Sequence, residues 1–173
     1  MQNASIDPRA KIFAVIFAVL ILGAGAFIFF GENGEVSGKG GSAKLSIAET
    51  DYDFGDISMK NGLARHEFKI KNDGDQALEI TDISTSCACT KVVLVVDGRR
   101  SPEFSMPGHG VKPLFWSEKI APGQSAVLEA VFDPLAHGPD AVGPITRVIN
   151  IISNTGGKGN AKSVITFSGN VIK

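Results

Sequence analysis

The chain carries no surplus of charge in either sense. Its formal net charge is −1 and its pI about 6.3, with Lys and Arg scattered along it and no block of like charge. A protein that grips a nucleic acid needs a basic field, so DNA and RNA are excluded as partners. Cysteine is scarce: Cys87 and Cys89 are the two, separated by one residue. Such neighbours cannot form the bridge that joins the two sheets of antibody domains. Nor do they supply the spaced ligand sets of structural zinc sites, so Cys-x-Cys alone is a weak metal signal. From Leu45 onward there is no helical period, which argues against a helical bundle. No Ser-His-Asp or paired-carboxylate arrangement can be read either. Asp51, Asp53 and Asp56 are interleaved with Tyr52, Phe54 and Ile57 and fit an exposed strand face. The chain is therefore read as a non-enzyme.

The N-terminus holds one long apolar run. Ile12 to Phe30 contains no charge, and at about 1.5 Å per residue it spans roughly 28 Å, close to a bilayer core. Arg9 and Lys11 precede it and Glu32 and Glu35 follow, so the positive-inside rule leaves residues 1–11 in the cytoplasm and the remainder outside. The competing reading is a cleaved signal peptide ending at Ala24-Gly25-Ala26, although Phe27 to Phe30 carries the apolar run beyond it. Both readings export the domain. The anchor reading makes this a single-pass protein of the inner (cytoplasmic) membrane, held there by its N-terminal helix. Gly31 to Lys44 is glycine-rich, polar and aperiodic, and reads as a flexible tether to a domain over residues 45–173.

Within that domain, short β-type runs are separated by Gly, Pro, Asn and Asp. They are Leu45–Ile57 (broken near Asp51 and Gly55), Ala64–Lys71, Leu78–Ile83, Cys89–Val96, Ala126–Phe132, Ile145–Ser153 and Ser163–Val171. In the second, His66, Phe68 and Ile70 share a face. Asn72-Asp73-Gly74-Asp75 is a turn, and Ala121-Pro122-Gly123-Gln124 fits a type II turn with Pro and Gly at its centre. About seven short strands with such punctuation predict an all-β, immunoglobulin-like sandwich behind one transmembrane helix.

Several of these segments form an ordered set: Asp53-Phe54-Gly55-Asp56-Ile57, Phe68-Lys69-Ile70-Lys71-Asn72-Asp73-Gly74, Ser86-Cys87-Ala88-Cys89-Thr90, Ile120-Ala121-Pro122-Gly123-Gln124, Phe132-Asp133-Pro134 and Ile152-Ser153-Asn154. The set resembles the bacterial domain-of-unknown-function 1573 family, which is similar to the wider group containing the ciliary Hydin-type repeats. The resemblance implies an exported immunoglobulin-like domain and brings no established activity with it. It departs from the pattern in two places. Ala88 stands where the family has glycine between the cysteines, and Asp97 to Lys119 is longer than the pattern requires.

Three roles are open to the cysteines. In a strand, residues two apart face the same way with Cα atoms nearly 7 Å apart, at the edge of disulfide geometry, so a bridge there would be strained and easily reduced. Two thiolates on one face would suit Cu(I) or Zn²⁺. The plain alternative is a pair of small, inert, buried residues at a strand corner. His109, between Gly108 and Gly110, is the candidate third metal ligand; His66 reads as a core-edge histidine and His137 as solvated. The segment Asp97–Lys119 carries Phe104, Phe115 and Trp116 with Arg99 and Arg100, residue types enriched at interfaces. Either it binds an envelope protein or its apolar residues fold back over one end of the sandwich. The reading that follows is a membrane-anchored binding or scaffolding module outside the cytoplasm. Its alternative is a copper-, zinc- or thiol-redox protein working through Cys87 and Cys89.

Overall fold

A computed structural model of the protein describes residues 41–109 and 115–173. The apolar run Ile12–Phe30 and residues 31–40 lie outside the described residues. Among those described, no helix is long and apolar enough to cross a membrane.

Among the described residues ten strands follow in order: β1 (Leu45–Ile47), β2 (Asp51–Ser58), β3 (Ala64–Asn72), β4 (Leu78–Thr85), β5 (Thr90–Val96), β6 (Arg99–Arg100), β7 (Glu118–Ile120), β8 (Ser125–Phe132), β9 (Gly143–Ser153) and β10 (Ala161–Ile172). They make two five-stranded sheets, ordered β1-β3-β8-β5-β6 and β2-β10-β9-β4-β7. All four pairings of the first sheet are antiparallel, whereas β2 runs parallel to β10 in the second. With the first extended segment divided between the sheets, this is the immunoglobulin-type arrangement, one sheet built on strands one, two, five and four and the other on three, six and seven. The expected break near Asp51 is the point where the chain leaves one sheet for the other.

The alternation in the sequence fixes which faces meet. Phe68 and Ile70 of β3, Val92 and Leu94 of β5, and Leu128 and Phe132 of β8 are buried. Across from them lie Leu78 and Ile80 of β4, Ile149 and Ile151 of β9, and Ile165 and Phe167 of β10, also buried. Side chains of opposite parity on these strands are mostly half-buried or exposed, as period-two patterning requires.

Polar residues of the turn motifs hold the strand ends. Asn72 is fully buried; its Nδ2 donates to the carbonyls of Gln76 (2.8 Å) and Ile120 (2.9 Å), while its Oδ1 accepts from the amides of Gly74 (3.0 Å) and Lys44 (3.3 Å). One side chain thus ties β3 to the turn after it, to β7 and to the segment ahead of β1. We expect Asn72→Ala to lower stability by about 2–3 kcal/mol, because it leaves buried backbone groups without partners. Urea unfolding would register that loss as a fall in midpoint at unchanged slope.

The tether expected over Gly31–Lys44 ends before Lys44. Ala43 is buried, and the carbonyls of Ser42, Ala43 and Lys44 accept from the amides of Asp75, Gly156 and Asp73. Gly74 lets this segment lie against the turn, since a Cβ there would collide with the backbone of residues 42–44.

The described part of the segment Asp97–Lys119, residues 97–109 and 115–119, holds more regular structure than its composition suggests. Asp97 and Gly98 both have positive φ (49° and 76°) and form a two-residue hairpin turn that pairs β6 with the end of β5. Arg99 and Arg100 are engaged by Glu118 and Glu129 in ion pairs of 2.7 and 2.6 Å, the second bidentate. Beyond β6 the chain runs back along β5, where Phe104 and Val92 exchange backbone hydrogen bonds of 2.8 and 3.0 Å.

Candidate site at the cysteine corner

β4 belongs to one sheet and β5 to the other, so Ser86–Cys89 is the corner at which the chain crosses between them. The residues between the two strands form a turn rather than extended chain. The amide of Thr90 donates to the carbonyl of Cys87 (3.1 Å), and buried Thr85 donates its hydroxyl to the same carbonyl (2.8 Å). The turn brings the two Cα atoms to 5.2 Å, and the cysteines are joined by a disulfide. This corrects the extended-strand premise: the chain bends, and 5.2 Å lies inside the ordinary range for a bridge.

Two further crossings put side chains against the pair. Phe132, at the end of β8, pairs with Thr90 at the start of β5, and the amide of Asp133 donates to the carbonyl of Cys89 (2.9 Å). Asp133 Oδ1 then accepts from the amide of Leu135 (2.8 Å), starting a turn that delivers His137 back to the corner. His137 Nε2 lies 3.2 Å from Cys87 Sγ. From the other side, β9 is clasped to the corner by reciprocal 2.9 Å hydrogen bonds between Ser86 and Val148. This places Arg147 with its Nε donating to Cys89 Sγ at 3.2 Å. The guanidinium also lies over the Phe132 ring, 5.8 Å from its centroid. Partial burial pulls the Arg147 pKa down from its ordinary value, yet an arginine remains charged at any physiological pH.

The two sulfurs are consequently unlike. Cys87 is half-buried and meets His137 and the amide of Cys89 (3.3 Å to Sγ). Cys89 is only 2% exposed and meets Arg147, with the Thr90 hydroxyl 3.9 Å away. Beside the corner, a cavity of about 270 Å³ opens between Arg65, Ala88, Cys89, Lys91, Glu103 and Asp133.

The other candidate residues fall as follows. The ligand atoms of Cys87, Cys89 and His137 lie within 4.8 Å of one another, and His109 is not part of that group. The amide of His109 instead closes a turn onto the carbonyl of Met106 at 3.0 Å. Phe104 is buried, and its ring packs edge-on against Trp116 at 4.7 Å, with Trp116 half-buried against the core. These two rings cover the sandwich rather than face outward. Phe115 is different, being fully exposed with a positive φ of 60°. His66 stacks on Tyr52 (3.5 Å between centroids) and meets Glu49 at 2.9 Å.

Sequence reading missed His137 and Arg147 as members of the site. A topological signal for His137 was available: β8 is antiparallel to β5, so the connection after β8 must leave from the same end as the turn before β5. Arg147 gave no such signal, because its reach depends on the register of β9 against β4.

Residues 45–97 match the family described as protein of unknown function (DUF1573). None of the curated proteins matches the chain. Among solved structures, a protein of unknown function from Porphyromonas gingivalis W83 is similar over 80% of this chain at 18% identity and a TM-score of 0.53. This chain covers 51% of that protein, about half its length. PapD-like domain 7 of human CEP192 is similar at 11% identity and a TM-score of 0.49, over 83% of this chain and 95% of that one. The YadV chaperone is similar at 8% identity and a TM-score of 0.48, over 75% and 53% respectively. At 18% identity the likeness to the Porphyromonas gingivalis protein is one of fold.

Proposed function

We propose, beside the match of residues 45–97 to the DUF1573 family, that the chain is a binding module held outside the cytoplasm whose contact with a partner protein runs through thiol–disulfide exchange at Cys87 and Cys89. The observation that carries this reading is the flanking of each sulfur, His137 Nε2 on Cys87 and Arg147 Nε on Cys89, both at 3.2 Å. An inert structural bridge gains nothing from a cation and an imidazole aimed at its sulfurs. A reducible one does, because hydrogen-bond donors and positive charge stabilise thiolates. Stabilising the reduced form makes the oxidised pair a better electron acceptor.

The same geometry assigns direction. A partner thiolate attacks Cys87 Sγ, the more accessible sulfur, and the Cys87–Cys89 bond breaks. Cys89 leaves as a thiolate beside Arg147, and a mixed disulfide joins Cys87 to the partner. A second partner thiolate then attacks the partner's sulfur in that mixed disulfide and releases the Cys87 thiolate. The partner loses two electrons and gains a disulfide, while the two protons of its thiols pass to solvent or to the reduced pair. The export expected from the apolar run Ile12–Phe30 would suit this reading, since disulfides persist outside the reducing cytoplasm. The cavity beside Ala88 and Cys89 offers room for the partner's chain.

Trapping tests the assignment. With Cys89→Ser the Cys87 thiolate is expected to attack the disulfide of an oxidised envelope partner, the reverse of the second exchange. One partner thiolate leaves, and the mixed disulfide, which no Cys89 can resolve, is seen on non-reducing gels. Cys87→Ser should capture little. Equal capture by both variants, or by neither, would count against it.

A further inference from the structure

We infer that in the reduced protein Cys87, Cys89 and His137 form a three-coordinate site for Cu(I). The inference rests on the preceding reading only in needing a pair that can be reduced. In the oxidised protein the three ligand atoms lie within 4.8 Å of one another, with His137 Nε2 3.2 Å from Cys87 Sγ. Once the Cys87–Cys89 bond is opened, a small separation of the sulfurs lets all three share an ion roughly 2.0–2.3 Å from each. The third ligand is His137, not His109, and it is delivered by a turn whose first amide is bonded to Cys89 itself.

The donor set selects the ion. Two thiolates and one imidazole are soft to intermediate donors, which narrows the choice of a single ion to Cu(I) or Zn²⁺. Zinc in a structural site asks for four protein ligands, and among the described residues this group supplies three. Charge points the same way. Cu(I) with two thiolates and a neutral imidazole carries one net negative charge, and Arg147, 3.2 Å from Cys89 Sγ, compensates it. A divalent ion with the same ligands would be neutral and would leave that guanidinium unbalanced.

The redox state of the pair then controls the ion. A thiol reductant gives two electrons to the disulfide, becomes a disulfide itself and leaves Cys87 and Cys89 as thiols. Cu(I) binds by displacing their two protons and remains Cu(I) throughout. Exchange with a partner disulfide closes the bridge again, removes both thiolates as ligands and frees the ion.

The test uses the full chain, reduced with a phosphine, desalted without oxygen and checked for two free thiols. It is then titrated against Cu(I) held by bicinchoninate. The expected result is one Cu(I) withdrawn per reduced chain and none by the oxidised chain. His137→Ala should weaken binding by about 10–100-fold or more, the loss of a direct ligand being at least as severe as that of an outer-shell partner, and His109→Ala should leave it unchanged. Copper-edge absorption of the loaded protein should show two sulfur neighbours and one nitrogen. A sample with two free thiols that withdraws no copper overturns the copper site and leaves thiol exchange standing. Wild-type affinity in His137→Ala overturns it equally. Copper uptake with no mixed disulfide in the Cys89→Ser trap would retain the site and remove the exchange partner.

Discussion

Phe132→Ala is expected to lower the unfolding free energy by about 3–5 kcal/mol, the range for deleting a buried aromatic ring. The ring is 2% exposed and packs edge-on toward Phe167 at 6.1 Å between centroids, in the contact between the two sheets. It also lies beneath the Arg147 guanidinium. Its removal therefore opens a cavity and takes away the surface on which the cation rests. Replacing both cysteines with serine is expected to cost less. A bridge between residues two apart closes a very short loop and removes little entropy from the unfolded chain. Denaturant titration of the two variants beside the parent protein decides the order. If the serine variant fails to fold while Phe132→Ala is tolerated, the bridge rather than the sandwich core is holding the domain.

The second large effect belongs to Arg147. Arg147→Met keeps much of the aliphatic stem but removes the charged donor from Cys89 Sγ. A hydrogen bond to a charged group contributes about 1.5–3 kcal/mol. Losing it from the reduced form should shift the equilibrium with glutathione toward the disulfide by roughly 10–100-fold, or about 30–60 mV. Exchange should also slow, because the Cys89 thiolate becomes a poorer leaving group. The fold should change little by comparison, since Arg147 is half-buried and the backbone pairing of β9 does not depend on its side chain. An unchanged equilibrium in Arg147→Met would mean that the 3.2 Å contact is packing without electrostatic consequence.

Much of the fold was legible in the sequence because the strands state their own faces. The alternation in β3 and β8 gave the core positions Phe68, Ile70, Leu128 and Phe132, and the turn residues at Asn72–Asp75 and Ala121–Gln124 gave the boundaries. The Asp97–Gly98 hairpin was not read, although Asp-Gly is a turn dipeptide, because the loop-like residues after it hid the two-residue strand β6. Site residues were legible only where they were adjacent in sequence. Cys87 and Cys89 announced themselves. His137 and Arg147 reach them from crossings 50 and 58 residues further along the chain, and no local pattern records a contact made by the topology of two sheets. The disposition of Phe104 and Trp116 was similarly a question of register, decided by the bridge between Phe104 and Val92.

The reduction potential of the Cys87–Cys89 pair in the full-length protein, measured by equilibration with glutathione buffers, bears most directly on the account. A pair whose thiolates are held by His137 and Arg147 should have a potential above about −300 mV, in the range of exchangeable rather than structural disulfides. A value well below about −300 mV, the same in the parent protein and in Arg147→Met, would identify a structural bridge and contradict a redox role for this corner.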